Sequence, residues 1–368
     1  MTKKLNIAVI FGGRSGEHDV SLMSARSVLS VLSPEKYEVT QVGITRSGTW
    51  LTSKNVIEAF ESEAFEHLTP VVLVPEPRDS SLYLVKGDKF EPLPRMDVYF
   101  PVLHGTFGED GTLQGLLELA DVAYVGCGVL ASSAGMDKGL FKDIMRANDI
   151  PVVESVLTSR EEISSSTDEV ISRIESRFAY PVFVKPANLG SSVGISKCNS
   201  RADLLEGLMN AARYDRRVLV ERGVNAREIE VSVLGNENPS ASVAGEIRPM
   251  DEFYTYEAKY IHDNSELIIP AQIEEAVMTS IRELAVRAFK AIDGAGMARV
   301  DFLLDRDTNA IYLNEVNTIP GFTKISMYPK LWAAGGLSYP QLIDRLVDLA
   351  IERKTDRDRT VRTFRSND

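Results

Sequence analysis

Four residues towards the C-terminal end are of types that could hold and act on a phosphorylated ligand. Arg299 and Asp301 lie in one apolar, β-favouring stretch, Met297 to Leu304; Glu315 and Asn317 lie in or beside the next, Ile311 to Val316. The polar segment Asp305 to Asn309 separates them, which predicts a hairpin. Strand side chains alternate faces with period two, so Arg299 and Asp301 share one face, as do Glu315 and Asn317. If Asp301 pairs opposite Glu315, the strands zip down to a three-residue loop, Asp307-Thr308-Asn309. Asn309 suits the left-handed last position of such a loop. Two carboxylates, an amide oxygen and a guanidinium then meet on one surface. Like charges opposite each other destabilise a sheet unless a cation sits between them. An all-oxygen set without His or Cys suits a hard ion, best Mg²⁺ held together with a phosphate. These residues point to a protein that handles a nucleoside triphosphate.

Three further segments place polar groups on loops. Phe11-Gly12-Gly13-Arg14-Ser15-Gly16-Glu17-His18 follows a strand signal and precedes a helix signal. Glycines there let a ligand approach a helix N-terminus, yet any βα turn can use them, and the dinucleotide fingerprint is absent. Ser15 and Glu17 at the sheet's carboxyl edge weigh towards binding, because ligands sit there in open α/β sheets. Lys185-Pro186-Ala187-Asn188-Leu189-Gly190-Ser191-Ser192-Val193-Gly194 follows another strand. Such a loop can fold over phosphates through backbone N–H groups and hydroxyls; a plain hairpin turn with a surface lysine is the alternative. The Walker order is missing. Phe253-Tyr254-Thr255-Tyr256-Glu257-Ala258-Lys259-Tyr260 reads either as a loop closing over a site or as an aromatic surface loop. His18 and His104, taken singly, read as structural histidines, and His67 and His262 as surface residues.

Three regions must position these groups. Residues 1–135 alternate strand signals (Tyr37 to Ile44, Val98 to Leu103, Val122 to Gly126) with helical ones (Val20 to Leu32, Thr112 to Ala120), which predicts a parallel sheet with helices packed on it. Residues 136–222 hold helix signals at Lys138 to Ala147 and Asp168 to Arg177, and strands at Tyr180 to Lys185, Gly194 to Lys197 and Arg217 to Glu221. Residues 223–352 read as antiparallel strands, a long amphipathic helix from Glu274 to Ile292, the hairpin and a last helix from Tyr339 to Ile351. The charged tail 353–368 is expected to be disordered.

The 368 residues suffice for two or three domains, and 44% hydrophobic with 26% charged residues is ordinary for a soluble globular protein. A net charge of −12 argues against nucleic acid as the main partner. No run approaches the roughly 18 apolar residues a membrane span needs. The short apolar run after Lys3 and Lys4 ends in a glycine loop, so it reads as a first strand rather than a signal peptide. Cys127 and Cys198, far apart, read as free thiols in a reducing cytosol.

Taken in order, these pieces resemble the D-alanine–D-alanine ligases of the ATP-grasp superfamily, from Ile7 to about Leu349. The resemblance rests on Gly12-Gly13-x-Ser15-x-Glu17-His18, Leu103-His104-Gly105 with Gly108-Glu109-Asp110-Gly111-Thr112-Leu113-Gln114-Gly115, and Met136-Asp137-Lys138. It continues through Lys185-Pro186 with Gly190 to Gly194, Tyr256 to Tyr260, Arg299-Val300-Asp301, and Asn314 to Thr318 with Pro320-Gly321-Phe322-Thr323. It implies a mixed α/β and α+β chain: an N-terminal Rossmann-like (pre-ATP-grasp) domain, 1–135, that binds D-alanine and dimerises, then ATP-grasp subdomains 136–222 and 223–352. It implies ATP-driven joining of two D-alanines through an acyl phosphate for peptidoglycan precursors, in a cytoplasmic homodimer.

Carried over by position, Asp301, Glu315 and Asn317 hold two Mg²⁺ ions, with Mn²⁺ as a substitute, and Arg299 stabilises the tetrahedral oxyanion. Lys138 and Lys185 meet the α- and β-phosphates, Lys259 meets the γ-phosphate, and the loop bearing Ser191 and Ser192 covers them. Glu17 binds the first D-alanine's ammonium with His104 nearby, and Glu17, Ser191 and Tyr260 form a hydrogen-bonded set. Gly321, Ser326 and Met327 line the second subsite. Glu221 and Val224 read the adenine edge, and Glu228 the ribose. Gly223 stands where the family commonly has a bulky residue, and Met327 where leucine is usual. The related ligases that make D-alanyl-D-lactate replace the tyrosine at Tyr260 with a histidine-bearing segment, so its presence points to the dipeptide.

Overall fold

The structure, a computed structural model, describes residues 3–77, 79, 81–191, 193–249 and 265–361. Its first sheet contains β1 (Leu5–Gly12), β2 (Tyr37–Ile44), β3 (Trp50–Thr52), β4 (Thr69–Leu73), β5 (Leu82–Lys86), β6 (Lys89–Pro92) and β7 (Val98–Val102). They lie side by side in the order β6-β5-β4-β3-β2-β1-β7. From Ile7 to Phe11 β1 is continuously apolar and fully buried, because both its faces are covered there. It pairs in parallel with β2 and β7. The expected parallel sheet stops there: β3 to β6 continue it as an antiparallel meander. These added strands are three to five residues long, and Lys89–Pro92 is exposed throughout, so no alternation marks it. The expected strand from Val122 to Gly126 is only a bridge between Tyr124 and Tyr99.

A four-stranded antiparallel sheet follows, formed by β8 (Ser155–Ser159), β9 (Val182–Pro186), β10 (Ser196–Cys198) and β11 (Arg217–Arg222) in the order β10-β9-β11-β8. It packs against helices Thr167–Glu175 and Arg201–Tyr214, with Val184, Ile174, Leu204, Leu208 and Val218 in an apolar core of its own.

The third sheet holds β12 (Ala226–Gly235), β13 (Ser240–Pro249), β14 (Ser265–Ile268), β15 (Gly296–Asp305) and β16 (Ile311–Asn317), antiparallel in the order β14-β13-β12-β15-β16. One face packs on helix Glu275–Ala291. Asp301 pairs with Glu315, as the hairpin reading requires. The zipper then slips by one: Phe302 pairs with Leu313, leaving Asn314 as a bulge. Leu313 and Val316 thereby both face the core while Glu315 and Asn317 remain on the polar side. The slip corrects the loop length. Asp305 and Ala310 still bond, so four residues, Arg306 to Asn309, make the turn, and Asn309 is left-handed at φ +55°.

The last helix, Tyr339–Arg357, extends into the segment expected to be disordered. Arg353 stacks over the Tyr124 ring and donates to the Gly126 carbonyl, while Arg357 pairs with Glu118 and Asp121. Its apolar face, Leu342, Ile343, Leu346 and Val347, joins Ile7, Val9, Phe11 and Phe100 of the first sheet in one core.

Candidate active site

A cavity of about 350 Å³ opens where the three sheets meet. Its walls include every described candidate residue: Glu17, His104, Lys138, Lys185, Ser191, Glu221, Val224, Glu228, Arg299, Asp301, Glu315, Asn317, Gly321, Ser326 and Met327. Ser192, Lys259 and Tyr260 lie outside the described residues.

At one end stand the lysines. Lys185, at the end of β9, places Nζ 2.5 Å from a Glu221 oxygen; the other oxygen is 2.7 Å from Nζ of Lys142. Lys142 lies one helical turn beyond Lys138 and is almost wholly buried, its ammonium also meeting the Val153 carbonyl at 3.3 Å. Burial alone would raise the Glu221 pKa, but Lys185 and Lys142 pull it down to about 2. Burial lowers Lys142 against the pull of Glu221; Lys185, equally opposed by burial, is held above its ordinary value chiefly by Glu221. Glu221 therefore has both oxygens engaged by ammonium groups while it also lines the cavity. Lys138 donates to the Leu189 carbonyl at 2.6 Å, tying its helix to the glycine loop.

That loop reaches the first sheet. Ser191, left-handed at φ +50°, donates its hydroxyl to the Glu17 carboxylate. A Cβ on the neighbouring Gly190 would come within 2.8 Å of the Glu17 carboxylate and push it aside. His104 is buried, with Nδ1 3.0 Å from the Ile319 carbonyl and Nε2 3.0 Å from the Ser24 hydroxyl. Burial pushes its pKa down to about 4, so it is neutral at pH 7. A carbonyl only accepts, which assigns the proton to Nδ1; the Ser24 hydroxyl then donates to Nε2 while accepting from the Phe322 N–H.

On the hairpin, Arg299 Nε and Nη2 donate to the two Asp301 oxygens at 2.8 and 2.7 Å, and Asn317 Nδ2 donates to Asp301 Oδ2 at 2.9 Å. The Ser326 hydroxyl is 2.8 Å from that of Thr323, and Met327 is buried, its Cε filling the notch beside Gly245. Gly223, unusual for the resemblance, has a local reason: a Cβ there would meet the Pro181 carbonyl oxygen at 2.5 Å.

Three groups went unassigned in the sequence. Lys142 shares a helix face with Lys138 by its i+4 spacing, and Glu230 shares a strand face with Glu228, so both carried a usable signal. Glu109 sat inside a quoted motif without a role. Its oxygens accept from the Gly105 and Ile319 N–H groups at 2.8 and 3.0 Å, and burial together with nearby Glu17 raises its pKa well above the ordinary.

Residues 6–127 match the family model described as D-ala D-ala ligase N-terminus, and residues 144–348 the one described as D-ala D-ala ligase C-terminus. The chain belongs to the D-alanine–D-alanine ligase family. It is 50% identical to the D-alanine--D-alanine ligase of Heliobacterium modesticaldum across 97% of each chain. It is 47% identical to that of Natranaerobius thermophilus across 98% of this chain and 99% of the other. Among solved structures, the D-alanine-D-alanine ligase from Coxiella burnetii superposes with a TM-score of 0.82 at 36% identity, covering 97% of each chain. VanG D-Ala:D-Ser ligase from Enterococcus faecalis superposes at 0.85 with 36% identity, covering 95% of this chain and all of that one. The family member described here is thus a ligase with the ATP-grasp fold.

Proposed function

We propose that this chain condenses two D-alanines to D-alanyl-D-alanine, converting ATP to ADP and phosphate, and so supplies peptidoglycan precursors. The observation that carries the reading is the shared cavity. It sets lysines for a polyanion, Glu17 for an ammonium, and Arg299 with Asp301, Glu315 and Asn317 within one enclosure.

A carboxylate is a poor electrophile, and phosphorylation gives it a leaving group. A carboxylate oxygen of the first D-alanine attacks the γ-phosphorus, and the bond to ADP breaks. The deprotonated amine of the second then attacks the acyl carbon, and the tetrahedral intermediate expels phosphate. Charge grows first on phosphoryl oxygens and then on the former carbonyl oxygen, so fixed cations lower both barriers. In this reading Lys138 and Lys185 hold the α- and β-phosphates, Glu17 anchors the first ammonium, and Arg299 faces the oxyanion. Glu221, Val224 and Glu228 take the nucleoside, and Gly321, Ser326 and Met327 take the second D-alanine. Ser192, Lys259 and Tyr260 receive their roles from the family resemblance.

Asp301, Glu315 and Asn317 fit a hard divalent cation, since each offers an oxygen. Among the described residues no group of three or more His, Cys, Asp or Glu could hold a metal. An ion held there would complete its shell with phosphate oxygens. When bound, two Mg²⁺ ions, or Mn²⁺ in their place, withdraw charge from the β- and γ-phosphates. Among the described residues no helix is long and apolar enough to cross a membrane. The use of ATP and the two buried free cysteines support a cytoplasmic setting, and a homodimer is the proposed assembly, checked by light scattering.

The test is phosphate release from ATP with D-alanine, L-alanine, D-serine or D-lactate offered in turn, across pH. D-alanine-dependent release with dipeptide as product is expected. Release only with D-serine or D-lactate as second substrate would move the chain to another ligase specificity.

A further inference from the structure

The roles assigned so far leave Glu230 unused. It sits on β12 directly opposite Asp301 of β15, on the face that carries Glu228 and Arg299. It is buried, and its Oε2 lies 2.9 Å from Arg299 Nε. That same Nε donates to Asp301 Oδ1 at 2.8 Å. Nε carries a single hydrogen, which goes to Asp301, so Glu230 Oε2 meets the guanidinium as a close ion pair rather than through that N–H.

Asp301 is also the residue that the proposed cation site requires. A divalent ion on its oxygens competes with the guanidinium for the same negative charge and weakens the two-pronged bond. β16, bearing Glu315 and Asn317, flanks Asp301 on one side, and β12, bearing Glu230, flanks it on the other. With adjacent strands about 4.8 Å apart, the β12 and β16 backbones stand roughly 10 Å apart. Glu230 is thus placed to hold Arg299 from the side away from the cation ligands.

We propose that Glu230 is a positioning residue for Arg299, retaining the guanidinium when Asp301 turns to a divalent ion. Cation binding hands Arg299 from Asp301 to Glu230, and the released Nη2 is free to meet the substrate's oxygen. The proposal rests on the reading of Asp301 as a cation ligand given above.

The test uses the full chain with Mn²⁺ as probe, its binding read by electron paramagnetic resonance with a non-hydrolysable ATP analogue and no D-alanine. Four proteins are compared: the unaltered chain, Glu230→Ala, Arg299→Ala and the double variant. Losing Glu230 should weaken Mn²⁺ binding about fivefold while Arg299 is present, because the guanidinium then leans harder on Asp301. In the Arg299→Ala background the same loss should cost less than about twofold. Equal losses in both backgrounds would make Glu230 a through-space charge and overturn the handover. Kinetics give an independent readout. Glu230→Ala should lower kcat about 100-fold with the ATP KM changed less than about threefold, and Glu230→Gln, which keeps an acceptor for Nε, should regain about tenfold. Unchanged kcat per folded molecule, with lowered thermal stability alone, would overturn the positioning role. Should Glu230→Ala not fold, the isosteric Glu230→Gln takes its place in the binding cycle, with a smaller loss in the same direction expected. Absence of Mn²⁺ binding by the unaltered chain would overturn the cation assignment and the handover with it. Binding without coupling would overturn the handover alone.

Discussion

The two ends of the cavity treat charge in opposite ways. At the lysine end, two ammonium groups surround one carboxylate: Lys142 and Glu221 are 1% and 4% exposed, and Lys185 is 14% exposed. These three groups sum to a positive charge locked in place by burial, and the Glu315 and Glu228 carboxylates also act on Lys185. At the hairpin end, one guanidinium, Arg299, meets Glu230 and Asp301, Glu315 stands opposite Asp301 on the next strand, and the sum is negative. One end is built to take a polyanion directly, the other to take the cation that accompanies it. A metal–nucleotide complex, negative at its phosphates and positive at its ion, matches both ends at once. The lysine cluster is also fully paired within the protein, whereas the hairpin cluster contains a bond that ligand binding has to exchange.

The contrast can be broken by substitution, and the hairpin end should respond most. Arg299→Ala should lower kcat about 1000-fold while nucleotide affinity, measured by calorimetry, changes less than about threefold; equal losses in both would refute a transition-state role. At the lysine end the sign is reversed. Lys142→Met should raise the ATP KM about tenfold and leave the D-alanine KM unchanged, because Lys185 is then fully neutralised by Glu221. Its stability cost should fall below the roughly 3–5 kcal/mol of an orphaned buried charge, since Lys185 remains as partner. Chemical denaturation measures that cost, and adding Glu221→Gln should increase it, because Lys185 then loses its chief partner. Between the two ends, Gly223→Ala should cost about 1–3 kcal/mol through the clash with Pro181 and weaken nucleotide binding secondarily.

The last expected effect is confined to acid pH. His104 is held neutral, its pKa lowered to about 4 by burial from an ordinary 6.5. Between those values the unfolded chain binds the extra proton, so stability rises with pH across this window and is lost as pH falls from 6.5 to 4. His104→Gln should flatten that part of the melting-temperature profile; an unchanged slope would place the acid sensitivity elsewhere.

The hairpin chemistry was legible because strand periodicity alone assigns Arg299, Asp301, Glu315 and Asn317 to their faces. The bulge at Asn314 was not, because it follows from the need of both Leu313 and Val316 to reach the core, and only packing reveals that. Lys142 was overlooked because a lysine on an amphipathic helix reads as solvated unless a buried carboxylate from another sheet meets it. Glu230 failed to stand out for a similar reason, its partner lying on a neighbouring strand some 70 residues on. In the first sheet, the antiparallel extension rests on strands too short and too exposed to carry a period. The helical stretch after Ile351 reads as a charged tail, and only Tyr124, Glu118 and Asp121 show what its arginines hold.

The shared core between the first sheet and the last helix has a mechanical consequence. Strands bearing Arg299 and the loop bearing Glu17 belong to one fused block, while the four-stranded sheet with Lys185 and Glu221 is a flap with its own interior. Swinging the flap would change the distance from lysines to Arg299 without unpacking either body. Several bonds span the junction, among them the Ser191–Glu17 hydrogen bond, acting as a latch at the rim, the Lys138–Leu189 and Asn188–Asp137 bonds beside it, and the buried Lys142–Glu221 pair, acting as a dowel at the root. Hydrogen exchange in the flap's rim should quicken when the latch is cut by Ser191→Ala and stay slow at the root.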